Sequence, residues 1–206
     1  MGNIFTEEVV QSFLASAPEL RDYIETTGVE LHPTYSPPFE RLLRSIIYQQ
    51  LSGKAASSIF KRFEDLLDEL TPDQVLRQSE DGLRAAGLSR QKAGYVQNVA
   101  RAFQPGGHLA AYRTATDLDD LSIDEIIEKF TTIKGVGEWT VQMYLIFSLG
   151  RLDVFAAKDL GVRKGLQVMY GLEEVPTPGQ AKKLTSHWSH YPTVGTVLSW
   201  QVIDTA

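Results

Sequence analysis

The chain of 206 residues reads as an all-α protein. Apolar residues recur at the helical period in one segment after another. Helix-start signatures stand ahead of several segments, and no stretch shows the apolar–polar alternation of a half-buried strand. The frequency of caps and breakers fits about ten short helices.

In order along the chain, an N-terminal helical pair precedes Pro33, Pro37 and Pro38, which mark a connection. Phe39, Leu42, Leu43, Ile46 and Ile47 then form one apolar stripe at i, i+3, i+4, i+7 and i+8. Ala55, Ile59, Phe63, Leu66 and Leu67 continue the pattern. Thr71-Pro72-Asp73-Gln74 places threonine at the cap, proline at the first helical position and glutamine at the third. Ala93, Val96, Ala100 and Phe103 make the next stripe. Gln104–Asp120, with Gly106-Gly107, is looser. Ser122-Ile123-Asp124-Glu125 is a capping box ahead of the stripe Ile123, Ile126, Ile127 and Phe130. Thr177-Pro178-Gly179-Gln180 repeats the threonine–proline start. Val141–Leu149 and Val194–Val202 are apolar nearly all round and predict central, buried helices. The two breaks outline a middle lobe at about 39–118 within one domain spanning 1–206; residues 1–38 and 119–206 build a second lobe. The second lobe then carries a helical hairpin at about 122–149 and the carboxylate Asp159.

Composition limits the function classes. There is no cysteine, which excludes disulfides, thiolate zinc sites and cysteine-bound iron–sulfur clusters. His32, His108, His187 and His190 show no metal-ligand spacing. No apolar run is long enough to span a membrane, and the N-terminal residues do not form a secretory signal. An intracellular, non-secreted protein is expected, nuclear in a eukaryote and cytoplasmic otherwise. The net charge of −6 argues against a polyanionic partner, but the charges are segregated. Arg41, Arg44, Lys54, Lys61 and Arg62 fall in one stretch without an acid, and Arg84, Arg90, Lys92 and Arg101 in another. A basic face on an acidic body and ordinary solvated helix faces both fit this pattern.

Two features point to chemistry. Lys134-Gly135-Val136-Gly137 separates a helix ending near Thr132 from one opening at Glu138. Free amides at that helix start favour a phosphate, and glycine permits close backbone approach. The carbonyls of Thr131, Ile133 and Val136 could ligate a monovalent cation, Na⁺ or K⁺. An ordinary αα turn also fits these residues. Asp159 stands at the start of a helix over Leu160–Met169, where it can act as an N-cap, as a reactive carboxylate, or as both.

Four segments in fixed order add specificity: Leu42–Ala56, Gly87–Ala93 (Gly-Leu-Ser-Arg-Gln-Lys-Ala), Ile133–Gly150 and Asp153–Gly165. Together they resemble the helix-hairpin-helix DNA glycosylases, specifically the alkylated-base branch of 3-methyladenine DNA glycosylases II. The resemblance covers roughly residues 5–203. It implies two helical lobes around a DNA-binding cleft, base flipping, and hydrolysis of the N-glycosidic bond of alkylated purines such as 3-methyladenine and 7-methylguanine.

On this resemblance Asp159 is the catalytic residue. Trp139 stands where strand-cutting relatives carry a lysine, implying a hydrolase without lyase activity, and could stack on a cationic base. Tyr48 and Met143 are further pocket candidates. Gln50 and Leu51 match the wedge that fills the vacated stack, and Leu88 would press on the opposite strand. Ser52, Gly53, Lys54, Ser89, Lys134, Gly135, Val136, Gly137, Thr140 and Lys158 are the remaining DNA-binding candidates. The implied partner is double-stranded DNA carrying an alkylated base or an abasic site, bound by a monomer that requires no cofactor. Two positions depart from the family pattern: Ala157-Lys158 stands where a proline usually precedes the aspartate, and Tyr191-Pro192-Thr193 replaces Tyr-Arg-Ser. These departures keep a second reading open, a weakly active or non-catalytic binder of abasic or distorted DNA.

Overall fold

The computed structural model describes residues 2–204. Among these residues all regular structure is helical, with twelve α-helices, two short 3₁₀ turns and no strand. The helices are α1 Glu7–Ser16, α2 Arg21–Thr27, α3 Pro38–Tyr48, α4 Gly53–Glu64, α5 Pro72–Arg77, α6 Glu80–Ala85, α7 Arg90–Phe103, α8 Ile123–Thr131, α9 Glu138–Phe147, α10 Leu160–Met169, α11 Pro178–Leu184 and α12 Pro192–Asp204. None of the described helices is long and apolar enough to cross a membrane.

The chain forms two compact units, one spanning Tyr35–Tyr144 and the other joining the residues up to Thr34 with those from Leu145 onward. In the first unit the apolar stripe of α3 is fully buried at Leu42, Leu43, Ile46 and Ile47. Each such side chain contributes about 1.5–3 kcal/mol on removal from water. An aromatic chain runs through this core, from Phe39 to Phe103 at 5.8 Å, Phe103 to Phe130 at 6.0 Å and Phe130 to Tyr144 at 6.1 Å between ring centroids.

Helix α4 departs from its expected face. Ala56, Phe60 and Phe63 are buried, Ala55 is exposed, and the helix ends before Leu66 and Leu67. The aromatic Phe60 edges onto Tyr48 at 6.3 Å and pulls the buried face round by one position. The start signals hold at Ser122 and Thr177, where both capping boxes form. At Thr71 the cap forms, but the Gln74 side chain turns to Asp68 instead.

The unit boundary also differs from the expected break near residue 118, because α8 and the turn after it pack within the Tyr35–Tyr144 unit. Phe130 meets Phe103 of α7, and the Asn98 side-chain amide donates to the Lys134 carbonyl at 3.1 Å.

The second unit is built around α12, buried from Thr193 to Ser199 and again at Val202. Its hydroxyls bond internally: Thr193 donates to the Arg151 carbonyl at 2.9 Å and Thr196 to the Val154 carbonyl at 3.1 Å. Helix α10 lies so close to α12 that a Cβ on Gly165 would stand 2.1 Å from the Ser199 carbonyl oxygen. The N-terminal segment is tied in by side chains distant in sequence. The Tyr23 hydroxyl donates to the Val168 carbonyl at 3.2 Å, and Glu19 accepts from Tyr170 and bonds His187, both at 2.8 Å.

Candidate active site and nucleic-acid interface

The turn between α8 and α9 is closed by its own backbone. The Ile133 amide donates to the Phe130 carbonyl at 3.1 Å, and the Val136 amide to the Ile133 carbonyl at 3.0 Å. Gly135 has φ of +109°, and a Cβ there would stand 2.3 Å from Cγ of Tyr95. Both the conformation and the space therefore demand glycine. Nothing lies within 4 Å of a Cβ built on Gly137, which is exposed along with Lys134. The side chains of Ile133 and Val136 point into the core, so only their backbone faces the turn. Thr140 is also buried, so its side chain is not presented for the expected contact with DNA. Residues 131–137 contain no carboxylate. A donor set of neutral carbonyls from Thr131, Ile133 and Val136 suits a monovalent ion better than a divalent one.

A second exposed turn joins α3 to α4. Gln50 has φ of +57°, rare for a residue with a side chain, and Leu51 is 40% exposed. Ser52 caps α4 by accepting from the Ala55 amide, leaving Gly53 and Lys54 exposed in its first turn. This arrangement fits an outward wedge followed by a helix start open to an anion.

Leu88 does not fit its expected role. It is 4% exposed with its amide bonded to the Leu83 carbonyl, so its side chain completes the core behind α6 and is not presented outward as a wedge. The neighbouring Ser89 is exposed and caps α7 through the Lys92 amide at 3.2 Å.

The pocket candidates separate by exposure. Trp139 is 49% exposed in the first turn of α9, whereas Met143 is buried one turn further on. Tyr48 is half-buried and already engaged: Arg44 lies 4.6 Å from its ring centroid and donates to its hydroxyl at 2.8 Å. Of the three, Trp139 is the most exposed.

In the other unit, Asp159 occupies the N-cap of α10. Its Oδ1 accepts from the Val162 amide at 2.8 Å and from the indole Nε1 of Trp200 at 2.9 Å. The Trp200 ring stacks on Phe147 at 5.6 Å, which holds the donor in place. Gly161 makes room for it, since a Cβ there would stand 2.8 Å from Cδ1 of Trp200. The approach to the carboxylate is a tight turn in which the Asp159 amide donates to the Ala156 carbonyl at 2.9 Å; Ala156 and Ala157 are buried and Lys158 is exposed. A carboxylate oriented in this way can stabilise a developing positive charge and direct a water molecule.

Trp200, the donor to the candidate carboxylate, is the site residue that the sequence reading missed. The available signal was the indole N–H of a largely buried helix, a donor that needs an acceptor when taken from water.

Comparison with known proteins gives concordant matches. Residues 43–190 match the model of the HhH-GPD superfamily base excision DNA repair proteins. DNA-3-methyladenine glycosylase 1 of Schizosaccharomyces pombe is 35% identical over 80% of this chain and 72% of its own length. The alkylbase DNA glycosidase-like protein mag2 of the same yeast is 31% identical over 83% of this chain and 80% of its own length. Among solved structures, a DNA-3-methyladenine glycosidase from Bacillus halodurans superposes with a TM-score of 0.85 at 34% identity, covering 100% of this chain and 94% of the other. The S. pombe 3-methyladenine glycosylase in complex with abasic DNA gives a TM-score of 0.75 at 30% identity, covering 93% and 95%.

Proposed function

The chain belongs to the HhH-GPD superfamily of base excision DNA repair proteins, and on that premise we propose that it is a monofunctional glycosylase for alkylated purines in duplex DNA. The observation that carries this reading is Asp159, fixed at a helix start by the Val162 amide and the Trp200 indole. An alkylated purine such as 3-methyladenine or 7-methylguanine is already cationic. It leaves with the electron pair of the N-glycosidic bond and becomes neutral. The positive charge passes to the sugar, where the Asp159 carboxylate stabilises it; water then adds to the sugar carbon and gives up a proton to the carboxylate, which passes it to solvent. Trp139, in place of an amine nucleophile, supports hydrolysis without strand cleavage, and its exposed ring suits a cationic base.

The remaining contacts follow from the exposed turns. Lys134, the amides of Gly135 and Gly137, Ser52, Gly53, Lys54, Ser89 and Lys158 contact phosphates, while Gln50 and Leu51 enter the stack. A Na⁺ or K⁺ held by the carbonyls of Thr131, Ile133 and Val136 adds positive charge near a phosphate. The protein acts as a monomer on double-stranded DNA.

The deciding experiment measures free base released from methylated duplex DNA, with the strand inspected for cleavage. Release of methylated purines with the strand intact is expected. Tight binding to abasic-site duplex without release would make the protein a lesion binder instead.

Two variants refine the assignment. Trp200→Phe keeps the stacked ring but removes the donor to Asp159. Base release should slow by roughly tenfold to a hundredfold, as expected for losing a hydrogen bond to a charged group. An unchanged single-turnover rate would reduce Trp200 to packing. The double variant Gln50→Ala, Leu51→Ala changes two exposed side chains, so folding should be normal. Its affinity for an abasic-analogue duplex should fall by about tenfold; equal affinity would remove the wedge assignment.

A further inference from the structure

We propose that Lys92 is a positioning residue that holds the Gln50–Leu51 turn in the conformation in which it meets DNA. The proposal rests on the wedge reading of that turn.

Lys92 belongs to the basic stretch 84–101, but it does not face outward as a phosphate contact would. Its ammonium reaches across from α7 and donates to two carbonyls at the end of α3, Ile47 and Gln49, each at 2.7 Å. Its neighbours in the stretch are used differently: Arg90 is exposed and pairs with Glu80 at 2.9 Å, and Arg101 donates to the Asn98 side chain at 3.0 Å.

Carbonyls at the C-terminal end of a helix lack intrahelical partners, and a cation there also answers the helix dipole. That alone would make Lys92 a cap. The identity of the second acceptor adds more. The Gln49 carbonyl belongs to the peptide group whose nitrogen is that of Gln50. Fixing this peptide plane therefore constrains φ of Gln50, which stands at +57°. Residues with side chains hold such a backbone only where their surroundings over-determine it. The turn has little else to hold it: Gln50 and Leu51 are both exposed, and the Leu51 amide makes a 3.3 Å bond to the Tyr48 carbonyl. Burial lowers the pKa of Lys92, so this ammonium is partly desolvated and the carbonyls replace part of its water.

Lys92→Met keeps the stem and removes the charge, and Lys92→Arg restores two donors. In the free protein, amide exchange at Leu51 in Lys92→Met should rise by about tenfold, while exchange in the buried middle of α3 stays unchanged. Preference for an abasic-analogue duplex over undamaged duplex should fall by about tenfold, with affinity for undamaged duplex retained and Lys92→Arg recovering most of the loss. Unchanged exchange at Leu51 would overturn the proposal. So would a uniform rise in exchange together with equal loss of both affinities and no rescue by arginine, because Lys92 would then serve the fold alone. If the wild type shows no preference for the abasic duplex, the wedge reading fails, whereas the exchange measurement still decides whether Lys92 sets the turn.

Discussion

Asp159→Asn should abolish base release while leaving the protein folded and bound to DNA. Asparagine is as good an N-cap as aspartate. Its side-chain oxygen can still accept from the Val162 amide and the Trp200 indole, the two bonds that fix Asp159. What disappears is the negative charge. A carboxylate facing a sugar cation acts through that charge, and losing a preorganised group of this kind costs on the order of 10³-fold in rate. Single-turnover release from methylated duplex, with abasic-analogue affinity measured alongside, tests this. Parallel loss of release and binding would show Asp159 to be a structural cap. Asp159→Ala is the less informative variant, because losing the cap itself costs about 1 kcal/mol of stability and mixes the two effects.

Gly135→Ala should be nearly as damaging, for a different reason. At φ of +109° the added Cβ strains the backbone, and it would stand 2.3 Å from the Tyr95 ring. Overpacking of this severity typically costs about 1–3 kcal/mol, and here it displaces the turn that presents the amides. Affinity should fall by tenfold or more for lesion-bearing and intact duplex alike, since phosphate contacts carry no lesion information, an estimate of about the same size as one lost charge-assisted contact. Gly137→Ala separates the causes. Nothing lies within 4 Å of its added Cβ, so stability should be unaffected while access to a phosphate is reduced. Titrations of both variants with intact duplex, together with thermal unfolding, check this. Wild-type affinity in both would leave the turn with a packing role only.

The features legible in the sequence were those encoded within a few residues. Thr71, Ser122 and Thr177 announce helix starts because the capping side chain and the amide it serves are three positions apart. Asp159 as the cap of Leu160–Met169 is the same kind of signal. Periodicity located the buried face of α3 for a related reason, since many large apolar residues agree on one direction, and the near-continuous apolar run of Val194–Val202 marked α12 as central. Periodicity misplaced the face of α4, where small residues left the phase to Phe60 and its contact with Tyr48.

What stayed hidden depends on partners far along the chain. Trp200 lies 41 positions from the carboxylate it serves, and Lys92 lies 43 positions from Gln49. Whether Leu88 and Thr140 point inward or outward is decided by neighbouring helices, which no local spacing reports. Charge counting failed at Lys92 for that reason: a basic stretch does not say which members turn inward.

The discontinuous unit has a consequence for timing. Glu19 and His187, bonded at 2.8 Å, are separated by 168 positions. A chain emerging N-terminus first cannot make this contact, or the one between Asp159 and Trp200, until residues 187 and 200 have emerged. Residues 35–144 are contiguous and have all their internal partners well before that. The turns at 49–53 and 133–137 can therefore be in place on a nascent chain while the bond that orients the Asp159 carboxylate still awaits α12.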